Sequence, residues 1–217
     1  MVDFARARAA MVDGQLVPRG IRDPRVLDAM RSVPRERFVP SQQVDYAYQD
    51  RPLPIGDGQT ISQPYIVAFM AEAASVGPDD RVLEIGTGSG YGAAVLGALA
   101  ASVVTVERRG SLAASARRVL AGLGYRNVEV VLGDGTLGSP DRAPFDVIIV
   151  TAAGPDVPGP LRDQLAVGGR IVMPVEYRYG FQQLVRLERV SEDEFTEVFL
   201  LGVAFVPLIG EHGHSDG

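Results

Sequence analysis

From Arg81 to Val175 the chain alternates apolar runs with small-residue or amphipathic stretches, and that alternation leaves few folds open. RVLEIG runs into glycines and is followed by YGAAVLGALA; SVVTVE is followed by SLAASARRVLAGLG, which ends on a glycine stop. VEVVLGD, FDVIIVTAA, the short GPLRDQLAVGG and RIVMPV continue the series. FDVIIV is apolar without a polar alternate, the pattern of a strand covered on both faces. Strands alternating with helices predict a parallel, doubly wound α/β sheet. Beyond Tyr177 the alternation stops. FQQLVRLERV and FTEVFLLGVAFVPLIG read as antiparallel strands that close the sheet edge.

Ahead of this core, Asp3 to Leu16 has the spacing of an amphipathic helix, with Phe4, Met11 and Leu16 apolar among arginines. Asp23 can cap a second helix with Pro24 at its first position. Val26, Leu27 and Met30 form its apolar face, and Pro34 stops it. Ser41 to Thr60 reads as a long polar loop. Loops of that length are usually functional or disordered, and Pro52 and Pro54 stiffen this one. The 217 residues suffice for a single α/β domain.

Three strand ends carry the chemistry. Gly86, Gly88 and Gly90 form a G-x-G-x-G turn between a strand and a helix, where glycine lets the backbone turn sharply and a ligand lie against it. The dinucleotide fingerprint G-x-G-x-x-G is missed, because Tyr91 follows Gly90, and a tight structural connection stays open as a reading. Glu107 ends the second strand, placed to accept hydrogen bonds from a ribose diol or to sit in solvent as a plain charge. Asp134, in GDG after the third strand, can accept from an adenine amino group or simply make a turn. Together they suit adenosine. No G-x-x-x-x-G-K-[ST] loop provides for phosphates, which suggests S-adenosylmethionine.

Composition removes several chemistries. The chain has no cysteine, so it has no disulfide framework, thiol nucleophile or thiolate metal site. It has no lysine, hence no Schiff base. Its two histidines, His212 and His214, lie in the tail, so a Ser-His-Asp triad inside the fold is excluded. A frayed terminus is expected there and no metal site, since structural zinc wants four converging ligands. The net charge of -6 argues against a nucleic-acid partner, which usually meets a basic face. The opening MVDFARARAAMV is neither a secretory signal nor a membrane span, so no membrane association and a cytoplasmic location are expected.

The runs PRERFVP, RPLPIGDGQTISQPYIVAFM, VLEIGTGSGYGAAVL, GDGTLG, APFDVIIVTAA and VAFVPLIG, in that order over nearly the whole chain, resemble the protein-L-isoaspartate O-methyltransferase family. GQTISQPYIVA and the closing FVPL are far more specific than the glycine turn. The resemblance implies a class I methyltransferase (Rossmann-like) fold with N-terminal helices and C-terminal antiparallel edge strands. It implies methyl transfer from S-adenosyl-L-methionine, leaving S-adenosyl-L-homocysteine, to the α-carboxylate of isoaspartyl residues in damaged proteins and peptides. Ser62 matches the family's active-site serine, and Thr60, Ile61 and Gln63 match its neighbours lining the cofactor. Glu84, Gly86, Gly88 and Gly90 match the first cofactor motif, Glu107 the ribose acceptor, and Asp134 with Gly135 the adenine end. Some relatives carry histidine after the proline of the serine motif, where this chain has Tyr65. On this reading residues 1–60 hold N-terminal helices and a substrate loop, 81–175 the cofactor-binding core, 181–209 the C-terminal strands and 211–217 a flexible tail, with a monomer as the default.

The residue inventory fits that chemistry. An isoaspartyl linkage leaves the α-carboxyl free, with an ordinary pKa of roughly 3.3–3.7, so at neutral pH it is already a nucleophilic anion. A general base has no proton to remove, and what remains is positioning. Ser62, at the mouth of a helix with free amide donors, would aim the carboxylate; the plain alternative makes it that helix's N-cap. RNA or DNA amino-methyltransferases typically carry an Asn/Asp-Pro-Pro-Tyr/Phe tetrapeptide after the fourth strand, where this chain reads TAAGP. A methyltransferase for another carboxylate or a small molecule is opposed only by the serine motif and the closing strand. YQDRPLPIGDG and FVPLIG are the candidates for a groove that holds an extended peptide.

Overall fold

The computed structural model describes residues 3–177 and 180–215. Helix α1 (Phe4–Met11) begins where the Asp3 carboxylate accepts the Arg6 amide, and continues as a wider π-turn over Val12–Leu16. Of the expected apolar face Met11 and Leu16 are buried, with Val12 beside them, while Phe4 is only half-buried and the helix is not uniform. Asp23 caps α2 (Pro24–Ser32) through a 2.9 Å bond from the Arg25 amide. Pro24 occupies the first turn, where a missing N–H costs nothing.

The stretch expected as a loop from Ser41 to Thr60 has structure of its own. A 3-10 turn (Ser41–Tyr46) leads to an antiparallel hairpin of β1 (Leu53–Gly56) and β2 (Gln59–Ile61). Its turn takes positive φ at Gly56 (97°), Asp57 (52°) and Gly58 (69°), which Asp-Gly pairs tolerate. The hairpin tip is latched by a hydrogen bond from the Ser111 hydroxyl to the Asp57 carboxylate. Helix α3 (Pro64–Ala73) follows.

The core then reads β3 (Arg81–Ile85), α4 (Tyr91–Leu99), β4 (Ser102–Glu107), α5 (Gly110–Gly122), β5 (Val128–Leu132), β6 (Phe145–Val150), α6 (Gly159–Asp163), β7 (Leu165–Glu176), β8 (Gln182–Arg189) and β9 (Phe195–Val203). The sheet order is β5-β4-β3-β6-β7-β8-β9. Pairings from β5 through β7 are parallel, and those of β8 and β9 antiparallel, as expected. Consecutive residues of one strand feed opposite faces. Val147 and Ile149 join the core beneath the N-terminal helices, while Ile148 and Val150 join the core on the other side. Such double coverage is why β6 carries no polar alternate.

Two C-terminal features differ from expectation. The last strand ends at Val203, and the chain then crosses back, with the Ala153 amide donating to Val206 O (2.8 Å) and the Leu208 amide to Ala153 O (2.7 Å). The tail expected to be flexible is tied down over residues 211–215: the Glu211 amide donates to Asp134 Oδ2 (2.8 Å), the His212 amide to Thr136 Oγ1 (3.1 Å) and the His214 amide to Leu208 O (2.7 Å). Residues 216 and 217 of that tail lie outside the described residues. Among the described residues no helix is long and apolar enough to cross a membrane.

Candidate active site

Register builds the site. Ile85 at the end of β3 pairs with Val106 of β4 and with Val150 of β6, so three loops leave the sheet at one level. From β3 the chain steps to β4 and β5 on one side and to β6 and β7 on the other, which opens the crevice where ligands of doubly wound sheets bind. The turn after β3 takes positive φ at Gly86 (95°), Gly88 (53°) and Gly90 (90°). A Cβ on Gly86 would lie 2.3 Å from Thr151 Oγ1, whose hydroxyl faces the Ile85 and Gly86 carbonyls at 3.0 and 2.9 Å. A side chain is excluded there on both counts.

Glu107 is buried and accepts the Gly88 amide on Oε2 (2.8 Å) and the Arg109 amide on Oε1 (2.9 Å). Each carboxylate oxygen thus spends one lone pair on the loops and keeps one for a ligand. Glu84, behind the turn, accepts the Thr105 hydroxyl at 2.6 Å. Burial pushes its carboxyl up to about 8, with the Thr105 hydrogen bond working against the rise and the charge of Glu107 adding to it.

Ser62 follows β2 directly and is not the cap of α3. Gln63 holds the N-cap position, with no side-chain cap bond, and Pro64 brings no amide. The anion at this helix mouth belongs to the protein: Asp50 accepts the Tyr65 amide (3.0 Å) and the Gln63 side-chain amide (2.7 Å). Arg19 pairs with Asp50, and its guanidinium stands 3.5 Å above the centroid of the Tyr65 ring. Of the amides expected free at this helix mouth, that of Tyr65 is thus engaged by Asp50, and position 64 carries none. The Ser62 hydroxyl, by contrast, has no hydrogen-bond partner among the described residues, and Ser62 lines the crevice cavity.

That cavity is lined by Thr60, Ile61, Ser62, Glu84, Gly86, Gly88, Glu107 and Gly135, eight of the sequence-derived candidates. Gln63, Gly90 and Asp134 do not line it. Gln63 is turned to Asp50. Gly90 serves packing, since a Cβ there would sit 3.3 Å from Ala116 Cβ and Leu120 Cδ1 of α5. Asp134 caps the turn Gly135–Leu137 and holds the Glu211 amide, in a neighbouring hollow with Gly133, Ile209 and Gly210. Sequence reasoning passed over Thr87, Ser89 and Tyr91, all inside the glycine motif, and Thr151 at the end of β6. Leu208 and Ile209, assigned to a peptide groove, also line this cavity. A glycine turn at the strand end, a carboxylate with spare lone pairs and apolar walls from Val106 and Leu208 fit a nucleoside. Among the described residues no group of three or more metal-ligating side chains converges.

A family model described as protein-L-isoaspartate(D-aspartate) O-methyltransferase matches residues 7–213. Protein-L-isoaspartate O-methyltransferase 2 of Pelobacter propionicus is 57% identical over 206 residues, 95% of this chain and 92% of the relative. Protein-L-isoaspartate O-methyltransferase of Roseiflexus sp. is 57% identical over 211 residues, 97% of this chain and 95% of the relative. A solved protein-L-isoaspartate O-methyltransferase superposes with a TM-score of 0.87 at 32% identity, covering 94% of this chain and 67% of its own. A Plasmodium falciparum structure described as a methyltransferase of the same kind, in complex with S-adenosyl-L-homocysteine, shares the fold at a TM-score of 0.82 and 24% identity, over 93% of this chain and 98% of its own.

Proposed function

The chain belongs to the protein-L-isoaspartate(D-aspartate) O-methyltransferase family, and on that premise we propose that it repairs damaged proteins and peptides by methylating the free α-carboxylate of L-isoaspartyl residues, with S-adenosyl-L-methionine as donor and S-adenosyl-L-homocysteine as product. The observation that carries the assignment to this site is the unpartnered Ser62 hydroxyl in the same cavity as Glu84, the glycine turn and Glu107. When bound, the cofactor supplies a methyl group already activated on a sulfonium.

The protein's own residues bind and orient. Glu107 offers its free lone pairs to the ribose diol, while the amides it holds keep the glycine turn in shape. Gly86 and Gly88 leave room for the ligand against the backbone, with Glu84 behind them. Gly135 borders the cavity at the adenine end, where a Cβ would collide with Ile85 Cγ2 at 2.3 Å and push the turn off β3, and Asp134 shapes that end by holding turn and tail. Thr60 and Ile61 wall the cavity; Gln63 and Gly90 support it from outside, through Asp50 and α5. Ser62 donates its hydroxyl hydrogen to the substrate carboxylate and aims it. The carboxylate arrives ionised, so no side chain has to take a proton, in keeping with a cavity lined by neither histidine nor cysteine.

Gln59 to Ser62 and Val206 to Ile209 both line the one cavity, which supports a groove for an extended peptide between hairpin and C-terminal segment. We take the monomer as the working unit and the cytoplasm as the compartment. Incubation with methyl-labelled S-adenosyl-L-methionine tests the reading. A peptide containing L-isoaspartate becomes labelled as a base-labile ester, and its aspartyl twin does not. Equal labelling of both, or of neither, contradicts it.

A further inference from the structure

Arg35 lies in the turn Arg35–Phe38 after α2, fully buried, and among the described residues no carboxylate forms an ion pair with it. Its Nη1 donates to Ala47 O at 2.5 Å. Its Nη2 donates to Ser62 O at 2.9 Å and, at the long distance of 3.4 Å, to Arg51 O. Nε has no partner, and the guanidinium stands 5.5 Å from the ring centroid of Tyr91, which lines the cofactor cavity.

Stability alone is a poor reason for such a group. Burying a charge is costly, and replacing buried ionic residues by apolar ones of similar size is often neutral or stabilising. The guanidinium does offer a rigid planar fork. Here that fork binds carbonyls from two separate segments, 47–51 and 62, and so ties the chain ahead of the hairpin to the chain after it. Holding the Ser62 carbonyl anchors the peptide plane that follows Cα62 and so restrains where that Cα, and the side chain it carries, can sit.

We infer that Arg35 is a positioning residue for methyl transfer: by holding the Ser62 carbonyl it sets the aim of the Ser62 hydroxyl. The inference rests on the role proposed for Ser62. Lysine at this position keeps the charge but not the fork, so it restores little of the positioning.

The test is a double-mutant cycle of Arg35→Met and Ser62→Ala, read as kcat per folded enzyme on an isoaspartyl peptide, beside the affinity for S-adenosyl-L-homocysteine. Arg35→Met is expected to lower kcat by about 10–100-fold, the scale of a small misplacement of a reacting group. Arg35→Lys recovers only part of that loss, and both bind S-adenosyl-L-homocysteine as the parent does. In the Ser62→Ala background Arg35→Met adds at most about a twofold loss, because the two residues act as one unit. Losses that multiply, or full activity in Arg35→Lys, overturn the inference and leave the role of Ser62 standing. Unchanged kcat in Ser62→Ala alone overturns the role of Ser62 itself, and the inference with it. If Arg35→Met does not fold, the same cycle is run with Arg35→Lys, and the same two outcomes decide.

Discussion

Replacing Ser62 by alanine is expected to lower kcat by roughly 10²–10³-fold, the cost of losing one aimed donor at a reacting centre. Melting temperature and affinity for S-adenosyl-L-homocysteine are expected to stay at parental values. The separation of these effects follows from the start of α3. Had the hydroxyl capped that helix, its loss would cost about 1 kcal/mol of stability. Gln63 holds the cap position instead, and the Asp50 carboxylate takes the Tyr65 amide, so alanine at position 62 removes no hydrogen bond inside the protein. Steady-state kinetics with an isoaspartyl peptide, beside a thermal melt of the same preparation, measure both. A lower melting temperature with activity intact would return Ser62 to a structural role.

The second large effect is expected at Glu107. Glu107→Ala removes the acceptor for both ribose hydroxyls, and hydrogen bonds to charged groups contribute about 1.5–3 kcal/mol each. Two of them at the low end correspond to about a 10²-fold weaker dissociation constant. The true loss is expected to exceed that, because the same side chain holds the Gly88 and Arg109 amides. Without it the glycine turn loses a fixed partner and the cavity is less well formed before the ligand arrives. Titration calorimetry with S-adenosyl-L-homocysteine reads the change directly. At saturating cofactor kcat is expected to fall far less than it does in Ser62→Ala, since Glu107 binds the end of the ligand away from the reacting atoms. An unchanged dissociation constant would mean that the ribose is held elsewhere.

The parallel core was open to reading because its signals are local. SVVTVE became β4 from Ser102 to Glu107 with no shift at either end, and the glycine stop after α5 is Gly124 at φ 85°. The hairpin is not legible in the sequence. Its strands are only four and three residues long, Pro52 and Pro54 depress strand propensity, and the Asp57-Gly58 turn signal lies in a run that is otherwise loop-like. What sequence reasoning missed at the site depends on contacts between distant residues. Asp50 caps a helix that begins fourteen positions later, at Pro64. Asp134 and Thr136 hold the amides of Glu211 and His212 across 77 and 76 positions, which no local pattern reports. Arg35 sits among charged neighbours in PRERF, and nothing in that run distinguishes a buried guanidinium from a solvated one. Gly90 and Asp134 belong to recognisable motifs, yet one packs a helix and the other ties a turn to the tail.

A single hydroxyl that aims an ionised carboxylate, without any proton changing hands, is the claim on which the rest depends. Enzyme loaded with methyl-labelled S-adenosyl-L-methionine and mixed with excess isoaspartyl peptide in H2O and in D2O tests it most directly, in one turnover. The expected result is the same rate in both solvents, since the Ser62 proton stays on its oxygen throughout. A distinctly slower turnover in D2O that disappears in Ser62→Ala would show that proton in flight, and orientation alone would no longer explain the site.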